Sequence, residues 1–151
     1  MTFTTQVEPS NCGWGTKMSD FGFEPGVPFQ ETQIKRIEEV IGRRLPDDYV
    51  AFVKQYGGAF VGGYVDGSED FPILAFFDAS EEKGILRNLN ALPDLMEDGI
   101  LPFADCELGN VYVFDKENRV HYINYYGGKT TSKKIANDFG DFLRRIVVNG
   151  D

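Results

Sequence analysis

The sequence predicts an α+β protein in which helices flank a central β-sheet, with an αα-hairpin towards the N-terminus and a helix at the C-terminus. Three observations support this class. Two helical patterns stand next to each other before residue 58, and short β-rich segments separated by turn residues follow them. A last helical pattern closes the chain. Helices and strands segregated in this way are typical of a sheet with helices packed against it.

A single domain is predicted for residues 31–151, preceded by an irregular arm at residues 1–30. The chain has 151 residues, and one domain commonly has roughly 100–200. A chain of this length can build a core without a metal or a disulfide. The arm contains three prolines and four glycines, a density of breakers that favours irregular structure. Its aromatic residues suggest that parts of it pack on the domain: Trp14, Phe21, Phe23 and Phe29.

Two adjacent helices are predicted before the strands. Isoleucines recur at the spacing of one helix face over residues 31–41, and Gly42 is placed to end this helix in the left-handed conformation. The second helix begins at Pro46, where the missing N–H is no loss, and Gly57-Gly58 ends it. The short connection between the two helices predicts an αα-hairpin.

Strands are predicted for the middle of the chain. The candidates are residues 59–61, 64–65, 71–77, 100–104, 111–114 and 120–125. Gly62-Gly63 divides the first two, and the last two indicate a hairpin across residues 115–119. A modest helix is predicted at residues 80–89, with Ser80 as its cap. The closing helix is predicted to begin at Thr131 or Ser132, since apolar residues repeat at helical spacing from there to residue 146.

Residues for catalysis or metal binding do not form a recognised motif. His121 is the only histidine, so any Ser-His-Asp or Cys-His nucleophile must use it. Its position within a predicted strand favours an ordinary strand histidine. Cys12, Cys106 and His121 lack the paired spacing of a zinc site. The nearest approach to paired catalytic carboxylates is the cluster Asp66, Glu69 and Asp70. We therefore expect no enzymatic activity, no metal and no cofactor.

The acidic residues concentrate in one third of the chain. The formal net charge is −9, from 24 acidic and 15 basic residues. Residues 66–115 hold twelve acidic and two basic residues, whereas residues 116–151 hold four acidic and seven basic ones. A solvated face is one explanation of this concentration. The other is an anionic surface that steers a basic partner. The acidic surplus argues against nucleic acid and anionic membranes as partners.

A cytoplasmic location is expected from the N-terminal residues and the apolar runs. The first residues show no basic region followed by an apolar one, so no signal peptide is predicted. No apolar run approaches the roughly 18 residues that a membrane span requires.

Three segments, in order along the chain, carry motifs that are more specific together than alone. The first runs from Ile34 to Gly58 and includes Leu45-Pro46-Asp47-Asp48-Tyr49. The second joins Leu101 to Asp105 with Gly109-Asn110 and the strand Val111 to Asp115. The third is Ile135 to Leu143 in the predicted closing helix. In this order they resemble the SUKH superfamily in its Smi/Knr branch, over about residues 31–147, so the arm before residue 31 departs from the resemblance.

This resemblance implies an α+β fold with a mixed central sheet. In bacteria it implies an immunity protein that binds and neutralises a toxin of a polymorphic or contact-dependent system, often a nuclease. Fungal relatives regulate cell-wall synthesis, which leaves a non-catalytic scaffold or regulator as the alternative. For a basic toxin, the candidate contacts are Asp66, Glu69, Asp70, Asp78, Glu81 and Glu82.

Overall fold

A computed structural model describes residues 22–91, 99–106, 109–125 and 130–148. Within them, the helices are α1 (Glu31–Ile41), α2 (Asp47–Tyr56), α3 (Ile85–Ala91) and α4 (Phe139–Arg145). The strands are β1 (Phe60–Val65), β2 (Pro72–Phe76), β3 (Leu101–Asp105), β4 (Val111–Phe114), β5 (Val120–Asn124), β6 (Thr131–Ala136) and β7 (Ile146–Val148). They form one sheet in the order β6-β5-β4-β3-β2-β1-β7. Helices flank this sheet, so the predicted α+β class is confirmed.

The described strand pairs are all antiparallel, whereas the resemblance implied a mixed sheet. From β1 to β6 each strand pairs with the one that follows it in the chain. Most of these pairs are joined by short turns and must run antiparallel, because a parallel pair needs a crossover connection of a dozen or more residues. Strands β2 and β3 are separated by residues 77–100, long enough for a crossover, and they also pair antiparallel. The chain then passes through α4 and returns as β7 along the far side of β1.

The predicted αα-hairpin is confirmed at residue level. Helix α1 buries Ile34 and Ile37 of its isoleucine stripe, with Ile41 partly buried, and ends at Gly42, whose φ of 76° is left-handed. Pro46 stands immediately before α2. Gly57 ends α2 at a φ of 61°, and a Cβ added there would overlap the carbonyl oxygen of Val27. Only glycine fits this position, because both the backbone conformation and the close approach exclude a side chain.

Aromatic side chains fill the core between the helices and the sheet. Tyr49 of α2 has no exposed surface, and its ring lies edge-on to Phe103, Phe114 and Phe139 at centroid distances of 5.9, 5.2 and 5.2 Å. Phe103 and Phe114 stack at 4.2 Å. Burying one such ring stabilises the fold by about 2–3 kcal/mol. The cluster therefore fixes α2 and α4 against the same face of the sheet.

Residues 22–30 of the predicted arm pack on the domain. Phe23 and Phe29 are 5% and 4% exposed, and Glu24 exchanges two backbone hydrogen bonds with Phe60 at 2.9 and 2.8 Å. The expectation that Trp14 and Phe21 also pack concerns residues outside the described ranges.

The closing helix begins later than predicted. Residues 131–136 form strand β6, which pairs along β5, and α4 starts only at Phe139. The cap is Asp138, whose carboxylate accepts a hydrogen bond from the Asp141 N–H at 2.7 Å. The prediction of Thr131 or Ser132 as the cap was therefore wrong. The backbone of both residues pairs with β5 instead, and the side chain of Asp138 caps the helix.

Two further segments differ from the prediction. The helix predicted at residues 80–89 begins only at Ile85, because Ser80 closes a turn instead, accepting the Lys83 N–H on its hydroxyl and the Gly84 N–H on its carbonyl. Gly62-Gly63 does not divide two strands but lies within β1. A Cβ at Gly63 would overlap the carbonyl oxygen of Val147 in β7, so glycine permits the close approach of that strand.

Candidate interaction surfaces

The six candidate carboxylates fall into two groups at opposite ends of β2. Asp66, Glu69 and Asp70 belong to the β1–β2 turn, which we call the turn group. Asp78, Glu81 and Glu82 belong to the segment between β2 and α3, which we call the loop group. Asp70 and Asp78 are eight residues apart, so an extended chain separates them by up to about 26 Å. The structure does not bring all six carboxylates into one cluster.

The turn group contains one carboxylate tied to the fold and two that are not. Asp66 has a φ of 58°, donates its N–H to the Arg145 carbonyl at 2.6 Å and lies 3.4 Å from the Arg145 guanidinium. Glu69 and Asp70 are exposed. Within the described residues, neither has a basic group within 4.0 Å. Their charge is therefore available to a partner.

The loop group contains one carboxylate that accepts hydrogen bonds within the loop and two exposed carboxylates that accept none of those bonds. Asp78 accepts the Ser80 N–H and hydroxyl on the same oxygen, at 2.9 and 2.8 Å. Glu81 lies 3.6 Å from the Arg36 side chain, and both side chains are more than half exposed. Glu82 is exposed, and the described part of the chain places no basic group within ion-pair distance of it.

A groove lies beside the loop group, between it and the N-terminal half of α1. Two adjoining cavities of about 350 and 330 Å³ form it. Both are lined by Gln33, Ala79 and Ser80. Ile37 and Leu86 line the first cavity, and the second is lined by Val27, an apolar side chain that is 83% exposed. The groove thus combines apolar contact area with an acidic wall on the side of the loop group, and an apolar lining with a few polar groups is common in recognition sites.

His121 is not isolated in the folded protein. It lies on β5 as predicted, but its Nε2 is 2.8 Å from Asp115 and its Nδ1 is 3.4 Å from the Ser132 hydroxyl. The three side chains border a cleft of about 300 Å³ at the β4–β5 hairpin. Sequence reasoning missed this grouping because it placed Ser132 in a helix rather than on β6 beside β5.

Asp115 holds the β4–β5 hairpin together. Its carboxylate accepts the N–H groups of Glu117 and Arg119 and the Arg119 guanidinium, each at 2.9 Å. Partial burial acts to raise the pKa of Asp115, but these bonds and the one with His121 outweigh it and lower the pKa to about 2. Arg43 also stabilises the hairpin, because its guanidinium donates hydrogen bonds to the Asp115 backbone carbonyl at 3.0 Å and to the Asn118 side-chain oxygen at 2.6 Å.

This geometry supports a structural role for the His121 group. The distance of 3.4 Å between Ser132 and His121 exceeds the roughly 2.6–3.2 Å expected for a nucleophile and its base. Asp115 accepts hydrogen bonds from four donors that stabilise a tight turn.

Within the described ranges, no three His, Cys, Asp or Glu residues are placed to hold a metal ion. None of the described helices is long and apolar enough to cross a membrane.

Comparison with known families matches residues 28–145 to the SMI1 / KNR4 family (SUKH-1). The chain belongs to this family. The match starts at Pro28, three residues before the domain boundary predicted from the sequence, and covers every described helix and the strands β1 to β6. No curated protein matches the chain.

The residues that carry the SUKH-1 resemblance have structural roles in this member. Pro46 precedes α2 and Gly57 ends it, while Gly109 turns the chain at a φ of 87°. Asn110 is 2% exposed; it donates to the Tyr122 hydroxyl at 3.0 Å and accepts the Tyr125 N–H at 2.8 Å. The six candidate carboxylates lie between these motifs, on exposed segments of the SUKH-1 fold.

Proposed function

We propose that this SUKH-1 protein is a cytoplasmic immunity protein that neutralises a basic toxin, of the nuclease type, by direct binding through its acidic surface. The observation that carries the proposal is the loop group beside the groove. There, exposed carboxylates with little internal compensation adjoin an apolar recess. The contact residues proposed are those of the turn group and the loop group, and no catalytic step is assigned to the chain.

Charge and size both fit such a role. A nuclease toxin holds phosphates with a basic surface, so an acidic binder can occupy the same surface and block it. Complementary charge can raise the association rate to about 10⁸ M⁻¹s⁻¹ or more at low salt. A standard interface covers about 800 Å² per partner, roughly 30 Å across. An interface of this width can extend over both acidic groups, which an extended chain separates by up to about 26 Å.

The test is neutralisation of the toxin encoded next to the gene for this protein. Co-expression should restore growth, and the purified proteins should bind at low salt. We expect E81Q/E82Q to weaken binding most and E69Q/D70N to weaken it less. The control E39Q/D47N removes two exposed charges from other parts of the surface and should leave binding nearly unchanged.

Two outcomes would contradict the proposal. Failure to bind the adjacent toxin at low salt would refute the immunity role. A pull-down that returns only housekeeping partners would favour the alternative, a non-catalytic scaffold or regulator.

A further inference from the structure

We infer that the groove between α1 and the loop group receives an extended, basic segment of the partner, in which an Arg or Lys stands beside apolar residues. The cation of this segment replaces Arg36 on Glu81. The identity of the partner rests on the proposed function, whereas the chemistry of the segment follows from the groove itself.

The shape and lining of the groove favour an extended segment. Its two cavities share Gln33, Ala79 and Ser80, and Leu86 lines only the first and Val27 only the second. The shared part is thus lined by two small side chains and one polar amide, and each cavity adds an apolar side chain of its own. Such a course accommodates alternating side chains of an extended chain better than a single compact ligand.

The Arg36–Glu81 pair spans this groove. Arg36 belongs to the α1 wall and Glu81 to the opposite wall, and both line the same cavity. Their closest nitrogen and oxygen atoms are 3.6 Å apart, with side chains 54% and 68% exposed. Exposed pairs of this length contribute little to stability. A partner cation with better geometry can therefore take the place of Arg36.

The neighbouring carboxylates add capacity for a cation. Asp78 accepts both Ser80 bonds on one oxygen, so its second carboxylate oxygen accepts none of the hydrogen bonds found among the described residues. Glu82 follows Glu81 directly and is exposed. Glu81 lines one cavity of the groove and Asp78 the other, so an incoming cation meets a carboxylate in either cavity, and charge-assisted bonds of this kind are about twice as strong as neutral ones.

This arrangement predicts opposite effects for the two members of one ion pair. R36Q removes the internal competitor and should tighten binding about two- to five-fold, the range expected from an exposed pair. E81Q keeps a carbonyl acceptor but removes the negative charge that attracts the cation, and should weaken binding up to about five-fold. R44Q is the matched control, because Arg44 is an exposed cation that pairs only loosely with Asp47 at 3.9 Å. Its effect should be less than two-fold.

The experiment uses the full chain labelled with ¹⁵N and the peptide acetyl-Leu-Arg-Leu-amide, with acetyl-Leu-Gln-Leu-amide as the uncharged control. Titration should shift the amide signals of Gln33, Ala79, Ser80 and Leu86 with the Arg peptide, and much less with the Gln peptide. The same titrations give the Kd for R36Q, E81Q and R44Q, and the spectra report whether each variant is folded.

Weaker binding by R36Q, or peptide shifts centred on residues 66–70, would overturn the inference. Failure of the immunity role can be distinguished from failure of the groove inference. Peptide binding in the groove without toxin neutralisation would refute that role alone, and neutralisation with peptide shifts elsewhere would refute the groove inference alone.

Discussion

Replacing Asp115 with Asn removes a negative charge from the centre of the β4–β5 hairpin while nearly preserving side-chain shape. The Asn carbonyl can still accept the backbone N–H groups of Glu117 and Arg119, which lie 2.9 Å from one Asp115 oxygen. The other oxygen, which faces the Arg119 guanidinium and His121, is replaced by a donor. The hairpin should keep its shape and lose stability.

The magnitude follows from the lowered pKa. The pKa of Asp115 falls from the ordinary 3.8 to about 2, and a full unit corresponds to about 1.4 kcal/mol. The upper bound is therefore about 2.4 kcal/mol at neutral pH. Since the hairpin lies at the surface, solvent screening reduces this value, and we expect D115N to lower the free energy of unfolding by about 1–2 kcal/mol.

The pH dependence gives the sharper test. A folded-state pKa below the unfolded value stabilises the fold above about pH 4, and the contribution is lost as pH falls towards 2. Roughly half should remain at pH 3. Urea unfolding of both proteins from pH 7 to pH 3 should therefore show a narrowing difference. A difference that is constant with pH, or below about 0.5 kcal/mol at pH 7, would refute this reasoning. E117Q is the control, because Glu117 is 71% exposed and its loss should cost less than about 0.5 kcal/mol.

Three further substitutions, one of them with a matched comparison, are tested by urea unfolding at pH 7. Y49F removes a buried hydroxyl that has no hydrogen-bond partner among the described residues, so it should be neutral or stabilise the fold by up to about 1 kcal/mol; a loss above 1 kcal/mol would contradict the assigned environment. G57A should cost more than about 3 kcal/mol, because a methyl group meets the backbone, whereas G42A, with open space around it, should cost about 1 kcal/mol; equal losses would be inconsistent with the close approach. D138A should cost about 1 kcal/mol by removing the cap of α4, and an unchanged unfolding midpoint would argue against Asp138 as the cap.

The parts of the fold that local patterns determine could be predicted from the sequence. Helices α1 and α2 carry their own stop signals, and their apolar stripes point to one core. The β4–β5 hairpin follows from two β-rich runs on either side of a polar turn. In each case, the residues that decide the structure lie within one turn or one hairpin of each other.

Two segments were predicted wrongly because their own residues do not mark them as strands. Residues 131–134 of β6 are exposed at the edge of the sheet, so they lack the apolar alternation that marks a half-buried strand, and the helical spacing of α4 extends backwards over them. Strand β7 has three residues and exists because β1 offers it an edge. The sequence does not show that pairing.

The candidate surface was predictable only in part. The concentration of acidic residues pointed to segments whose carboxylates are exposed in the structure, but it could not separate Asp66, which is tied to Arg145, from Glu69 and Asp70. The groove was not predicted, because it arises where α1 meets a loop more than 40 residues later in the chain. The grouping of His121 with Ser132 was missed because Ser132 was predicted in a helix, whereas it lies on β6 beside β5.

Hydrogen–deuterium exchange on the complex with the adjacent toxin tests the central claim most directly, because it maps the surface that the partner covers. We expect protection on binding at residues 26–37 and 78–86, which line the groove, with weaker protection at residues 66–70. Protection confined to the β4–β5 hairpin and the edge strand β6, with residues 78–86 unchanged, would contradict the account.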